Sequence, residues 1–288
     1  NLKEKSDNLS RSSLVDKTNF ESFILIGDSH AVNFKNEIKR ELYSKNYDLI
    51  YLEHSNIFSL DLINVERKNG KMKFLFDQIN NILFKKNIST IILISRYPLY
   101  WHRTGFDNKQ GTDGIEEVKF LPYFLDEDKN RLDEKNRKKI IKNSFNKSLL
   151  QILEKNINVI IFYPIPEAGF WVPNVVASRV LPRLKIKSLF QKFVVDDDIF
   201  ELPKNKYVTT SFDLFVERNK EVFEMLNQTK HPNLYRIYPH KKLCDMQIKN
   251  KCITHSQNEI YYLDDDHLSE DGVKLIMPEF IEILSRIK

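Results

Sequence analysis

Two short stretches near opposite ends of the chain carry the residue types of nucleophilic acyl chemistry. Gly27-Asp28-Ser29-His30 follows the apolar run Phe23-Ile24-Leu25-Ile26, and Asp264-Asp265-Asp266-His267-Leu268-Ser269 precedes a final helix-like segment. Together they offer a serine nucleophile, a histidine base and a carboxylate. The upstream run reads as a strand stopped by glycine, and the residues from Ala31 to Leu42 read as an amphipathic helix, so Ser29 falls on a strand-to-helix turn. A serine there faces outward at the carboxyl edge of a sheet. Backbone N–H groups at a helix start favour negative charge, so an oxyanion beside Ser29 would be stabilised by its own turn. At the other end, the Asp-x-x-His spacing of Asp264 and His267 lets the carboxylate hold one ring nitrogen while the other faces the serine. The competing reading is that Asp28 and Ser29 only cap the helix that follows. Capping leaves the matching Asp-x-x-His unexplained.

The elements that would position these groups alternate along the chain. Strands are expected at 23–26, 49–52, 90–95, 159–163 and 234–237, with helices near 31–45, 73–86, 137–155, 211–226 and 270–287. Strands separated by helices predict a parallel sheet covered on both faces. Residues 1–19 are polar, rich in Ser, Asn and Lys, and read as a linker or arm; 20–288 read as one domain. Two connections, 98–128 and 164–208, are too long for simple turns and are expected to shape a substrate cleft at the carboxyl ends of the strands.

The ordered motifs resemble the SGNH hydrolase superfamily, and more narrowly the SGNH domain fused behind the membrane-embedded acyltransferase family 3 domain of bacterial O-acyltransferases. The resemblance rests on Gly27-Asp28-Ser29-His30-Ala31 and on Leu263 to Ser269 with Gly272. Ile91 to Tyr97 resembles the subgroup's third strand with its arginine-aromatic ending. Val159 to Glu167 resembles its fourth strand and Pro-x-Pro loop, and Cys244 with Cys252 its paired cysteines. The resemblance implies a three-layer α/β/α fold with a mostly parallel, flavodoxin-like sheet. It also implies an acyl-serine intermediate on Ser29, with His267 as base and Asp264 as its orienting carboxylate. The acyl group, acetyl by expectation, would go to a hydroxyl of a bacterial cell-surface glycan. The acyl donor would be supplied by a membrane acyltransferase domain absent from this chain. An O-acetylesterase using the same triad and a non-catalytic glycan-binding module remain the alternatives.

The oxyanion hole departs from the superfamily pattern of a glycine after the second strand and an asparagine after the third. Here Glu53-His54-Ser55-Asn56 and Arg96-Tyr97-Pro98 occupy those places. A backbone N–H near Ser55 is the candidate substitute for the glycine. Arg96 offers a charged fork to an oxyanion or a sugar acid, or else makes a salt bridge at the strand end. Tyr97, Tyr100, Trp101 and His102 form an aromatic cluster readable as a sugar platform or as plain packing. Asp265 and Asp266 read as solvated or as helix caps, Asp266 being poorly placed to reach the His267 ring, and His30 as a support of its turn. No metal and no cofactor are expected, since His54, His231, His240 and His255 lack partners at ligand spacing.

Composition narrows the setting. The 288 residues are 41% hydrophobic, enough for a full core, and carry a net charge of +5 with acids and bases interspersed. No basic block interleaved with aromatics occurs, which argues against nucleic-acid binding. No apolar run approaches the roughly 20 residues of a membrane span. The chain starts with Asn, which suggests a fragment or processed form of a longer membrane protein. Cys244 and Cys252 are spaced too widely for a redox Cys-x-x-Cys pair and read as a disulfide, hence as an extracytoplasmic location, against the alternative of two free thiols.

Overall fold

β1 (Ser22–Gly27) is buried along its whole length, as expected of a strand covered on both faces at the interior of a parallel sheet. The computed structural model describes residues 21–53, 65–66, 82, 87–109, 123–124, 130–180 and 207–287. In chain order, β1 is followed by helix α1 (Ser29–Ser44), β2 (Asp48–Glu53), β3 (Val65–Glu66), β4 (Ile88–Ile94) and α2 (Tyr97–His102). Next come β5 (Tyr123–Phe124), α3 (Glu134–Leu153), β6 (Asn158–Phe162), α4 (Val172–Val180), β7 (Thr209–Ser211) and α5 (Phe212–Asn227). The chain then forms β8 (Leu234–Ile237), α6 (His240–Leu243), β9 (Lys251–Ile253) and α7 (Glu270–Arg286).

The main sheet has the order β2-β1-β4-β6-β8, with every pair parallel. Counting those five strands alone, this is the 2-1-3-4-5 order of flavodoxin-like folds. Alternate residues of β1 feed opposite cores. Phe23 and Leu25 pack with Phe34 of α1 and with Val273, Ile276 and Phe280 of α7. Ile24 and Ile26 pack with Ile141, Phe145 and Leu149 of α3 and with Tyr97 of α2. Helix α5 serves both sides, with Phe215 in one core and Val222, Met225 and Leu226 in the other. The result is the expected three-layer α/β/α architecture.

Five expected strands are present, with ends shifted by at most two residues. α1 begins at Ser29, two residues before the expected start, because Asp28 caps it. The two long connections each open on or enclose a helix, α2 and α4, where the sequence read as loop. The segment 1–19 and nearly all of the helix expected at 73–86 lie outside the described residues.

Gly27 is required where β1 turns into α1. A Cβ there would sit 1.8 Å from the Ile94 carbonyl oxygen and 2.6 Å from the Ala31 Cβ, so any side chain would push apart β1, β4 and α1. Cys244 and Cys252 form a disulfide across the bend that leads into β9, and both are buried. The free-thiol reading is thereby excluded.

Candidate active site

Asp28 joins the two central strand ends. Its Oδ1 accepts the His30 N–H at 2.9 Å, and its Oδ2 accepts the Ser95 hydroxyl at 2.6 Å and the Arg96 N–H at 2.8 Å. One buried carboxylate therefore caps α1 and ties the end of β1 to the end of β4. Ser29, the first residue of α1, is left exposed at this corner, and its N–H is one of the helix's unpaired first-turn donors.

The second half of the site is a tight turn before α7. Asp264 Oδ1 accepts the N–H groups of Asp266 (3.0 Å) and His267 (2.8 Å), which folds the Asp-x-x-His segment onto its own carboxylate. The loop after β6 braces this turn from outside. The Ala168 and Val172 N–H groups donate to the Asp265 and Asp264 carbonyls at 2.7 and 3.1 Å, and the Tyr262 hydroxyl donates to the Pro166 carbonyl at 2.7 Å. From α1, the Asn33 amide donates to the Leu268 carbonyl.

These supports bring the ends of the chain together. His267 Nδ1 lies 2.7 Å from Asp264 Oδ2, and His267 Nε2 lies 2.7 Å from Ser29 Oγ. With Nδ1–H donating to the carboxylate, Nε2 is the nitrogen that accepts the hydrogen bond of the Ser29 hydroxyl. The hydrogen bond to Asp264, with the nearby charges of Asp266 and Asp264, raises the His267 pKa against burial and Arg96. Burial pushes the Asp264 carboxyl up, but the His267 ring and the two turn N–H groups outweigh it and leave it below its usual range. Burial and the charge of Asp266 raise Asp265.

Beneath the triad lies a charged cluster. Asp266 is 2% exposed. Its Oδ2 takes His30 Nε2 at 2.8 Å and Arg96 Nη1 at 3.0 Å, while its Oδ1 stands 3.3 Å from His267 Nδ1. This corrects the expectation that Asp266 is solvated or a helix cap out of reach of the His267 ring; the cap of α7 is Ser269. Burial disfavours the Asp266 anion, yet His30, Arg96 and His267 hold its carboxyl far below the ordinary value. Arg96 also grips Glu167, with Nε 2.6 Å from Oε1, and Glu167 Oε2 takes Arg218 Nε at 2.7 Å. Arg96 thus follows the salt-bridge alternative, and its fork is already occupied.

The remaining expectations divide. Tyr97 is fully buried and Trp101 is 4% exposed, with its indole N–H donating to Glu221 Oε2 at 2.7 Å. The short helix α2 turns these rings into the core, so they form no open sugar platform. Ser55 lies outside the described residues. Among the described residues, His30, Asp266 and His267 bring donor atoms within 4.8 Å of one another, as do Asp264, Asp265 and Asp266. The acceptors of Asp264 and Asp266 are engaged with each other's turn and with His30, His267 and Arg96, and the Arg96 guanidinium beside Asp266 opposes a metal cation.

Residues 3–282 match the family model of the SGNH domain fused to AT3 domains. The chain belongs to this SGNH family. The SGNH domain is similar over 97% of its length to 88% of the lipopolysaccharide acetyltransferase periplasmic domain of Salmonella ser. Paratyphi A, at 14% identity and a TM-score of 0.52. A GDSL-like lipase from Bacteroides thetaiotaomicron aligns over 99% of this chain and 98% of its own, at 10% identity and a TM-score of 0.40. No curated protein matches the sequence. At the family level the SGNH domain is a hydrolase-type enzyme of acyl transfer or hydrolysis. No helix among the described residues is long and apolar enough to cross a membrane.

Sequence reasoning missed Asp266, Glu167 and Arg218 as members of the site's support, and read His30 as a support of its own turn without its bond to Asp266. One signal was present: Arg96 and Glu167 both stand just past apolar strands, where a charge needs a partner.

Proposed function

We propose that residues 20–288 form one catalytic domain, with 1–19 as a linker or arm, that transfers an acyl group, acetyl by preference, to a hydroxyl of a bacterial cell-surface glycan. The observation that carries this reading is the pair of 2.7 Å hydrogen bonds in which His267 accepts from the Ser29 hydroxyl and donates to Asp264. Ser29 Oγ attacks the donor's acyl carbon while its proton passes to His267 Nε2. The bond from that carbon to the donor's leaving group then breaks, and the leaving group departs with the pair of electrons and takes the proton from His267, which leaves the imidazole neutral again. An acceptor hydroxyl next gives its proton to His267 and attacks the same carbon. The acyl–Oγ bond breaks, and Ser29 recovers its proton. Asp264 fixes the ring and stabilises the imidazolium, and the Ser29 N–H at the α1 start supports the oxyanion, with a backbone N–H near Ser55 as its companion.

Three findings support the setting. The family pairs this domain with a membrane acyltransferase, the natural source of donor. A similar fold serves in a lipopolysaccharide acetyltransferase periplasmic domain. The disulfide suits an extracytoplasmic compartment. The exposure of Ser29 favours a second reading, O-acetylester hydrolysis, because water also reaches the acyl-enzyme.

Intact-protein mass after incubation with a small activated acetyl ester tests the nucleophile. The wild type should carry an acetyl adduct that Ser29→Ala lacks. Adding deacetylated glycan then separates the readings, since acetyl appears on the glycan for a transferase and in water for an esterase. Labelling of neither protein, together with glycan binding that Ser29→Ala retains, would favour a binding module.

A further inference from the structure

Asp264 is not the only carboxylate facing the catalytic imidazole. Asp266 Oδ1 stands 3.3 Å from the same Nδ1 that Asp264 holds at 2.7 Å. Its other oxygen is fixed by His30 Nε2 at 2.8 Å and Arg96 Nη1 at 3.0 Å, and the His30 ring meets the His267 ring edge-on at 5.2 Å between centroids. Nothing in the triad's chemistry requires this second layer. We propose that Asp266, clamped by His30 and Arg96, is a positioning residue for the SGNH triad: a second carboxylate that keeps His267 turned with Nδ1–H inward and Nε2 toward Ser29.

The physical case rests on rigidity and charge. Asp264 and His267 are each about a quarter exposed, with side-chain accessibilities of 23% and 24%, so solvent alone would let the ring swing. Asp266 is buried, and two donors, His30 and Arg96, hold one of its oxygens in place. Arg96 is in turn locked by Glu167, and Glu167 by Arg218, whose Nη2 reaches the Thr104 carbonyl at 2.7 Å. The clamp is therefore anchored in α5 and in the segment after α2. The titratable and charged groups that face His267 are Asp264 and Asp266 on its own turn, Arg96 after β4, and His30 on α1. His30 has one bonded ring nitrogen, since its Nδ1 finds no partner among the described residues. Nε2 therefore carries the hydrogen that Asp266 accepts.

This inference builds on Ser29, His267 and Asp264 as the triad, but its test needs no acyl transfer. The test follows the His267 ring by NMR in the whole chain, assigned by comparison with His267→Asn. In folded Asp266→Asn the titration midpoint of His267 should fall by about half a unit or more, roughly a threefold loss of proton affinity. In Arg96→Gln it should rise. A residue of merely structural role would not move the midpoint in opposite directions. An unchanged midpoint in folded Asp266→Asn overturns the proposal. Should either variant fail to fold, the unmodified protein decides. Its ring-nitrogen shifts, read at a pH above the His267 titration midpoint where that ring is neutral, should show Nδ1–H on His267 and Nε2–H on His30, and the opposite tautomer on either ring overturns the clamp. A failed acetyl-ester experiment leaves these NMR outcomes untouched, so the two readings fail separately.

Discussion

His267 with Asp264 and His30 with Asp266 are two imidazole–carboxylate pairs of nearly equal length, 2.7 and 2.8 Å, lying side by side. Their surroundings differ. The first pair opens to solvent and keeps its second nitrogen for Ser29, whereas the second is sealed, with side-chain accessibilities of 1% and 3%. In the proposed mechanism the same two residue types thus serve to move a proton in one place and as a fixed mount in the other, and access decides which. A mobile proton needs a route to substrate, and only the outer pair has one.

Breaking the outer pair gives the largest expected effect. Asp264→Asn should slow acetyl labelling of Ser29 by about 10³–10⁴-fold, the cost of a base in the wrong tautomer, while the urea midpoint changes little. Breaking the inner pair should shift the weight to stability, with a smaller loss of labelling rate than Asp264→Asn. His30→Ala leaves Asp266 short of a buried donor and should cost about 3 kcal/mol of folding stability, read from urea unfolding. A comparable rate loss for both variants without destabilisation of either would erase the distinction between the pairs. The disulfide offers a reference outside both. Replacing Cys244 and Cys252 by serine releases a loop of sequence separation 8. It should cost about 2–3 kcal/mol by the loop-entropy relation while the labelling rate of the folded fraction stays unchanged.

The smallest effect concerns pH. His267 acts as a base only when deprotonated, and its neighbours raise its pKa, Asp264 foremost. Labelling should therefore decline with acid along a limb placed above the ordinary histidine value. The same raised pKa contributes stability that is present below the unfolded value and lost as pH rises through the folded one. A limb at or below the ordinary value in the labelling-rate profile would show that the carboxylates do not act on the ring.

The outer pair was legible in the sequence and the inner one was not, for reasons visible in particular residues. Ser29 and His267 each sit beside a local pattern, a glycine-ended apolar run or an Asp-x-x-His spacing, that states their geometry. The strands were legible for a similar reason: buried runs such as Ile91 to Ile94 admit few other readings. Asp266 is one of three consecutive aspartates, and which of them faces inward depends on two N–H groups folding onto Asp264. Its partners lie 236 positions away at His30 and far upstream at Arg96, so no window of sequence contains the cluster. Tyr97 and Trp101 misled in the opposite direction. Aromatic density looks alike whether it faces a sugar or a core, and only the packing of α2 against α3 and α5 distinguishes them.

The clamp also orders events in time. A ribosome makes His30, Arg96, Glu167 and Arg218 before it makes Asp266. Without that last aspartate, the His30 Nε2–H and one arm of the Arg96 guanidinium would lack the anion they meet in the fold. The nascent domain therefore carries an unfinished seam at the place where its nucleophile waits. The same short segment that closes the seam delivers the base and its carboxylate. Ser29 therefore meets the ring at its hydroxyl only once this last segment has been made.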